Sequence, residues 1–147
     1  MVTMQNLQVG DFVKIGKGDI YEPVYAFGHH VPRRYAKFVQ LHTSADKSPL
    51  ELTGEHLVFV KGKNNPVRAD SIKVGDLLQA QDDNAVVQKI SIVEKIGIYN
   101  PLTSSGTIQV NGITASTYIS FQKQNNEYVE LPVGGIKLSM SHHVFAR

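Results

Sequence analysis

The 147-residue sequence contains no cysteine, which excludes disulfide bridges, thiolate metal sites and thiol nucleophiles within these residues. This absence leaves the redox compartment of the protein undetermined. No apolar run approaches the ~20 residues that a membrane helix requires, so we expect no transmembrane segment. Residues 1–6 have neither the basic nor the apolar region of a signal peptide, and no Asn-X-Ser/Thr acceptor for glycosylation occurs.

Neither sign of charge dominates, because 15 Lys and Arg residues stand against 13 Asp and Glu residues and the net charge is only +2. The basic clusters Arg33-Arg34 and Lys61-Gly62-Lys63 lack interleaved aromatic side chains, so we expect no nucleic-acid partner. Gly16-Lys17-Gly18 is too short for a phosphate-binding loop. No set of His, Asp and Glu residues has the spacing of metal ligands, so the sequence predicts neither a metal nor another cofactor.

Long helical periodicity is absent too, and many short β-rich segments take its place. The length predicts one domain, and the pattern predicts an all-β fold. Strands are expected at residues 11–15, 35–43, 77–80 and 86–98, and a hairpin is expected at Asn111-Gly112. Residues 28–32 and 100–106 are predicted to form loops because Gly, Pro and Ser are concentrated there.

An internal repeat organises these strands. Residues 5–13 (QNLQVGDFV) are echoed 65 positions later by residues 70–78 (DSIKVGDLL). The shared pattern predicts two copies of one β unit, related by a pseudo-two-fold axis, with a site where the halves meet. The alternative is that Val-Gly-Asp is only a common turn at the start of a strand.

The central stretch Leu52-Thr53-Gly54-Glu55-His56-Leu57 places a Thr and a His three residues apart beside a tight turn. A buried pair of this kind can polarise a backbone amide, because the hydroxyl can hold the amide and the imidazole can give a proton to its nitrogen. The alternative is structural: Thr53 caps a turn, and His56 is a core histidine whose hydrogen bonds are satisfied.

Four segments together resemble hedgehog-type Hint domains, the self-processing domains of hedgehog C-terminal regions and inteins. Three of them are Leu7-x-Val9-Gly10-Asp11-x-Val13, residues 38–43 (FVQLHT) and the Thr-x-x-His block of Thr53 and His56. The fourth is residues 97–118 (GIYNPLTSSGTIQVNGITASTY), a long and ordered match to the late segment of hedgehog domains. The resemblance covers residues 4–121 and implies the Hint fold, two β-subdomains of short strands and long hairpins.

The resemblance also implies a chemistry. In this family a Cys attacks the preceding carbonyl to give a thioester, which a second nucleophile then opens. By that resemblance His56 is the catalytic acid and Thr53 its helper. His29 matches the position of an Asp in animal hedgehogs and would activate the second nucleophile, a sterol or water. Alternatively, His29 and His30 are solvated loop residues.

Two further positions are auxiliary by the same resemblance. Thr117 lies where hedgehog domains carry a second Cys, although an ordinary strand threonine is the alternative. His142 belongs to a pair, His142-His143, that loosely resembles the His-rich end of hedgehog domains. Adjacent histidines on a strand face opposite sides and are weak evidence for a metal.

The family's Cys precedes the segment that matches Leu7–Asp11, so we expect a Hint domain without its Cys-bearing first strand. Residues 1–121 would form this N-terminally truncated domain, and residues 122–147 its C-terminal extension. Two functions remain open: part of a self-cleaving, hedgehog-like precursor, inactive as written, or a non-catalytic all-β interaction module. The resemblance implies the N-terminal flanking segment as a partner in cis, a monomer, and the secretory pathway as the location.

Overall fold

A computed structural model describes residues 1–122, 128–131 and 143–144, with side chains described through residue 119. The first seven strands are β1 (Val2–Thr3), β2 (Phe12–Lys14), β3 (Tyr21–Pro23), β4 (Ala26–Thr43), β5 (Leu50–Leu52), β6 (His56–Val58) and β7 (Val67–Arg68). The next six are β8 (Leu77–Ala80), β9 (Asp83–Leu102), β10 (Thr107–Val110), β11 (Ile113–Gln122), β12 (Tyr128–Leu131) and β13 (His143–Val144). The described helices are two single 3-10 turns, Met4–Asn6 and Ala69–Ser71. The predicted all-β fold is confirmed.

Eleven of these strands form one curled sheet in which every described pairing is antiparallel. β1, β13, β10, β11, β8, β9, β4 and β5 lie side by side in that order. β6 and β12 also pair with β11, β7 pairs with β6, and β2 and β3 form a separate two-stranded sheet. The division into residues 1–121 and 122–147 stays a prediction. Among the described residues, no helix has the length and apolar character needed to span a bilayer.

The long pair β4–β9 shows where the loop predictions were wrong. Residues 28–32 lie inside β4, and β9 continues through Pro101 to Leu102. The ladder accommodates Pro32 because the register shifts between the pairs Val31–Ile98 and Tyr35–Ile96. Pro32 therefore falls in a bulge, where its missing N–H breaks no regular ladder bond.

The sequence repeat corresponds to a structural repeat. Gly10 and Gly75 have φ of 94° and 96°, which glycine adopts without the penalty that a Cβ would bring. Their N–H groups donate to the carbonyl oxygens of Val24 and Val87, each at 2.8 Å. The two turns thus join equivalent strands in the two halves of the fold.

The carboxylates that follow these glycines repeat the same geometry. Asp11 accepts a hydrogen bond from the N–H of Gln8, and Asp76 accepts one from the N–H of Lys73, each at 2.9 Å. Such a carboxylate holds a turn together by occupying a backbone donor. Since the two copies share equivalent hydrogen bonds as well as residue identities, the repeat is two copies of one β unit.

Each copy also contributes to a common core. The two 3-10 turns each bury one side chain, Met4 and Ala69. Around them lies one cluster of aliphatic residues drawn from strands of both halves. The rest of the cluster includes Leu7, Val13, Val39, Leu41, Leu50, Leu52, Val58, Ile72, Leu78, Val87, Ile108, Val110 and Ile113. This packing fixes the turn between β5 and β6, which carries the predicted site.

Candidate functional site

The turn between β5 and β6 carries the Thr-x-x-His block. Thr53 follows the last residue of β5, and His56 begins β6. The N–H of His56 donates to the carbonyl oxygen of Thr53 at 3.0 Å, so the four residues close a tight turn. Thr53 is 5% exposed and His56 is fully buried. The apolar residues on either side, Leu52 and Leu57, are buried as well and hold both ends of the turn in the core.

The imidazole of His56 is held by a backbone carbonyl. Its Nε2 lies 2.6 Å from the carbonyl oxygen of Ser116 in β11. A carbonyl oxygen can only accept a hydrogen bond, so Nε2 carries a proton and donates it. This contact fixes both the orientation of the ring and which nitrogen is protonated, two properties that decide how a histidine acts in catalysis.

A bulge in β11 presents this carbonyl. β11 pairs with β6 through Ala115–Val58 and Ile119–His56, so three residues of β11 oppose one residue of β6. The extra residues are held in place by a hydrogen bond from the N–H of Thr117 to the carbonyl oxygen of Gly106 at 2.7 Å. Bulges re-aim groups out of a regular ladder, and here the bulge turns a main-chain acceptor toward His56.

The hydroxyl of Thr53 is the second notable group of this site. Its Oγ1 is buried and finds no hydrogen-bond partner among the residues that the structure describes. A buried hydroxyl without a partner costs about 1–3 kcal/mol relative to a paired one. The hydroxyl is therefore available to a further polar group that enters the site.

The five predicted site residues divide into three groups. Thr53 and His56 share one turn, and Thr117, which is 2% exposed, is the residue after the Ser116 carbonyl that His56 contacts. His29 lies partly buried on β4, which in the described part of the chain pairs with β9 and β5. His142 lies outside the described residues.

Ser116 was missed by the sequence reasoning, although it is the main-chain partner of His56. Its position beside Thr117 in the Ala-Ser-Thr-Tyr segment was the only signal available. Its own side chain accepts a hydrogen bond from the N–H of Tyr118 at 3.0 Å, which stabilises the bulge from within. In the described residues, no group of three His, Asp or Glu side chains is arranged to hold a metal ion.

A separate pocket of about 560 Å³ lies beside the loop after β6. Lys17, Lys61 and Lys63 line it together with Asp83, and none of the predicted site residues does. Lys17 pairs with Asp83 at 2.8 Å, and this hydrogen bond and charge hold the pKa of the Asp83 carboxyl below its ordinary value. These side chains are mostly exposed, and the pocket has no part in the Thr53–His56 site.

Comparison with known proteins connects this geometry to a family. The profile of the family described as the Hint module matches residues 1–132. "Warthog protein 8" of Caenorhabditis elegans is 37% identical over 133 residues, covering 78% of this chain and 24% of that protein. "Sonic hedgehog protein" of Xenopus laevis is 28% identical over 123 residues, covering 75% of this chain and 27% of that protein.

A solved structure shows the same fold. The bacterial intein-like domain from Clostridium thermocellum superposes with a TM-score of 0.64 at 19% identity, covering 79% of this chain and 92% of that domain. The chain spans about a quarter of the length of the two curated relatives named above. Since the family profile covers most of the sequence and hedgehog and Warthog proteins align with it, the chain belongs to the hedgehog-type branch of the Hint family of autoprocessing domains.

Proposed function

We propose that this chain is the processing part of a hedgehog-like precursor, and that it promotes an N-to-S acyl shift on a Cys in polypeptide joined to its N-terminal side. The observation that carries the proposal is a single tight turn with two buried polar side chains. It holds a fully buried His56, fixed by the Ser116 carbonyl, and a buried Thr53 whose hydroxyl has no partner in the described residues. The chain itself has no cysteine, so the thiol must be supplied by the flanking segment.

The chemistry assigns a task to each residue. The Cys thiol gives up its proton as its sulfur attacks the carbonyl carbon of the preceding peptide bond, the C–N bond breaks, and the leaving nitrogen takes a proton. Nδ1 of His56 takes the thiol proton and passes it to the leaving nitrogen, while Nε2–H stays on the Ser116 carbonyl. Thr53 Oγ1 donates a hydrogen bond that holds the scissile peptide in place. The products of this step are a thioester and a free α-amine on the Cys.

A second nucleophile then completes the reaction. The oxygen of a sterol hydroxyl or of water attacks the thioester carbon, and the thiolate leaves. We propose that His29 takes the proton from this oxygen, because a neutral imidazole is a competent base near pH 7. Thr117 is an auxiliary residue that holds the bulge bearing the Ser116 carbonyl, through its N–H bond to Gly106.

The test uses a precursor in which a reporter protein and a Cys-bearing segment precede this chain. Hydroxylamine opens any thioester and releases the reporter. We expect His56→Ala to reduce release by about 10² or more, the range that general acid catalysis contributes. His42→Ala is the matched control, since within the described part of the chain that half-buried ring bonds a side chain, Gln40, at 3.0 Å and no backbone carbonyl.

Variants at the other two positions separate the steps. Thr53→Val should slow hydroxylamine-dependent release, whereas Thr43→Val, at an equally buried threonine of β4, should not. His29→Ala should leave hydroxylamine-dependent release intact and abolish release without hydroxylamine. Mass spectrometry of the released reporter, with and without added sterol, identifies the second nucleophile. If the Cys-bearing precursor releases no reporter under any condition, the proposal is wrong and the non-catalytic interaction module is the remaining function.

A further inference from the structure

We propose that Asp70 and Arg68 form a clamp that positions the Thr53–His56 turn, an inference that deepens the proposed function and rests on it. Neither residue belongs to the Thr-x-x-His block. Asp70 lies in the 3-10 turn after β7, and Arg68 is the last residue of β7. Both residues lie at the start of the second repeat copy, and through them this copy contacts the Thr53–His56 turn between β5 and β6.

Asp70 packs directly on the middle of the turn. Its N–H donates to the carbonyl oxygen of Gly54 at 3.0 Å. A Cβ at position 54 would lie 3.1 Å from both Cβ and Oδ2 of Asp70, tighter than ordinary van der Waals contact. Gly54 is not among the residues with positive φ. Space for Asp70, and not an unusual backbone angle, is therefore the reason for glycine in the Thr-Gly-Glu-His sequence.

Arg68 closes the clamp from the other side. Its guanidinium donates two hydrogen bonds to the Asp70 carboxylate, with Nε 3.0 Å from Oδ1 and Nη2 2.6 Å from Oδ2. Its backbone pairs with Leu57, the residue after His56. A planar fork of this kind fixes geometry as well as charge. The Asp70–Arg68 pair thus contacts the chain at Gly54, before His56, and at Leu57, directly after it.

The duplication shows that the fold itself does not need this pair. Sixty-five positions earlier, Thr3 and Gln5 occupy the places of Arg68 and Asp70. The first copy nevertheless forms the same 3-10 turn and the same glycine and aspartate contacts that follow it. The clamp is present only in the copy that contacts the Thr-x-x-His turn, which indicates a role in positioning that turn.

Partial exposure makes the proposal testable without unfolding the protein. The side chains of Arg68 and Asp70 are 25% and 42% exposed, and exposed ion pairs contribute little to stability. We expect Arg68→Gln and Asp70→Asn to lower Tm by less than about 4 °C. Both should move and broaden the His56 ring signals in ¹H–¹⁵N NMR spectra of the 147-residue chain, and Arg68→Lys should move them less.

The matched control is Asp83→Asn, which breaks a second exposed pair of this kind, Lys17–Asp83 at 2.8 Å, and should leave the His56 signals unchanged. In the Cys-bearing precursor, Arg68→Gln and Asp70→Asn should slow hydroxylamine-dependent release about tenfold. If neither variant moves the His56 signals more than Asp83→Asn does, the clamp is refuted. If the signals move while every precursor is inert, the clamp stands and the proposed function fails.

Discussion

The Nε2 of His56 lies 2.6 Å from the carbonyl oxygen of Ser116, so a main-chain acceptor in β11 orients the histidine that begins β6. The two residues are brought together by strand pairing, and the bulge in β11 directs the carbonyl at the ring. A backbone acceptor has no proton to exchange and keeps one role at every pH. The His56–Ser116 contact is therefore a fixed support for the imidazole.

This contact predicts the tautomer of His56. We expect its neutral ring to carry the proton on Nε2, and we expect that proton to exchange slowly with water because the side chain is fully buried. The ¹⁵N shifts of the two ring nitrogens distinguish the tautomers directly. His42, which is half-buried, serves as the internal reference and should exchange faster. A proton found on Nδ1 of His56 would contradict the assignment.

The unpartnered hydroxyl of Thr53 predicts an unusual stability effect. Thr53→Val removes a buried hydroxyl that has no partner in the described residues, so we expect the free energy of unfolding to stay equal or rise by up to about 1 kcal/mol. Thr43→Val instead removes the acceptor for the N–H of Ala45 at 3.2 Å and should cost about 1 kcal/mol. Urea denaturation of both variants measures the difference. Equal losses would show that the Thr53 hydroxyl is paired in the folded chain.

Gly106, whose carbonyl oxygen holds the β11 bulge, is predicted to be sensitive to substitution by alanine. Gly106 has φ of 77°, and a Cβ there would lie 2.5 Å from the ring of Tyr118. Gly18 has φ of 75° but nothing within 4 Å of its Cβ position. Each Gly→Ala change pays the left-handed backbone penalty of about 1–2 kcal/mol. We expect Gly106→Ala to cost about 1–3 kcal/mol more than Gly18→Ala in urea denaturation, because the Tyr118 ring must shift. Similar losses of unfolding free energy in the two variants would show that the Tyr118 ring moves away from position 106 without an energetic penalty.

The local elements of the fold were predictable because their signals lie in adjacent residues. The hairpin at Asn111-Gly112 is confirmed, with φ of 47° and 77° at the two positions, as a tight two-residue turn requires. The repeated Val-Gly-Asp turns follow in the same way from Gly10 and Gly75. Each of these features depends on one backbone angle that only a few residue types adopt readily.

The long pair β4–β9 and the partners of His56 could not be predicted in this way. Residues 28–32 are extended because β9 pairs with them, and the bulge at Pro32 depends on register with residues more than sixty positions away. The Ser116 carbonyl depends on a second bulge between distant strands. Asp70, in contrast, left a readable signal: it stands where the first copy has Gln5, while the Val-Gly-Asp that follows is the same in both copies.

The burial of Tyr99 predicts a loss of stability at alkaline pH. Its side chain is 1% exposed and packs edge-on against the ring of His30, and desolvation raises the pKa of the phenol above 10.0. Above the pKa of the unfolded state the unfolded chain loses this proton while the folded chain keeps it, so the free energy of unfolding falls as pH rises past about 10. Tyr99→Phe removes the titrating group and should flatten this decline between pH 9 and 11.5 in urea titrations. Tyr35→Phe, at a side chain that is 66% exposed, is the matched control and should leave the decline in place. An identical decline in Tyr99→Phe would mean that the phenol of Tyr99 is not the group whose proton the folded state retains.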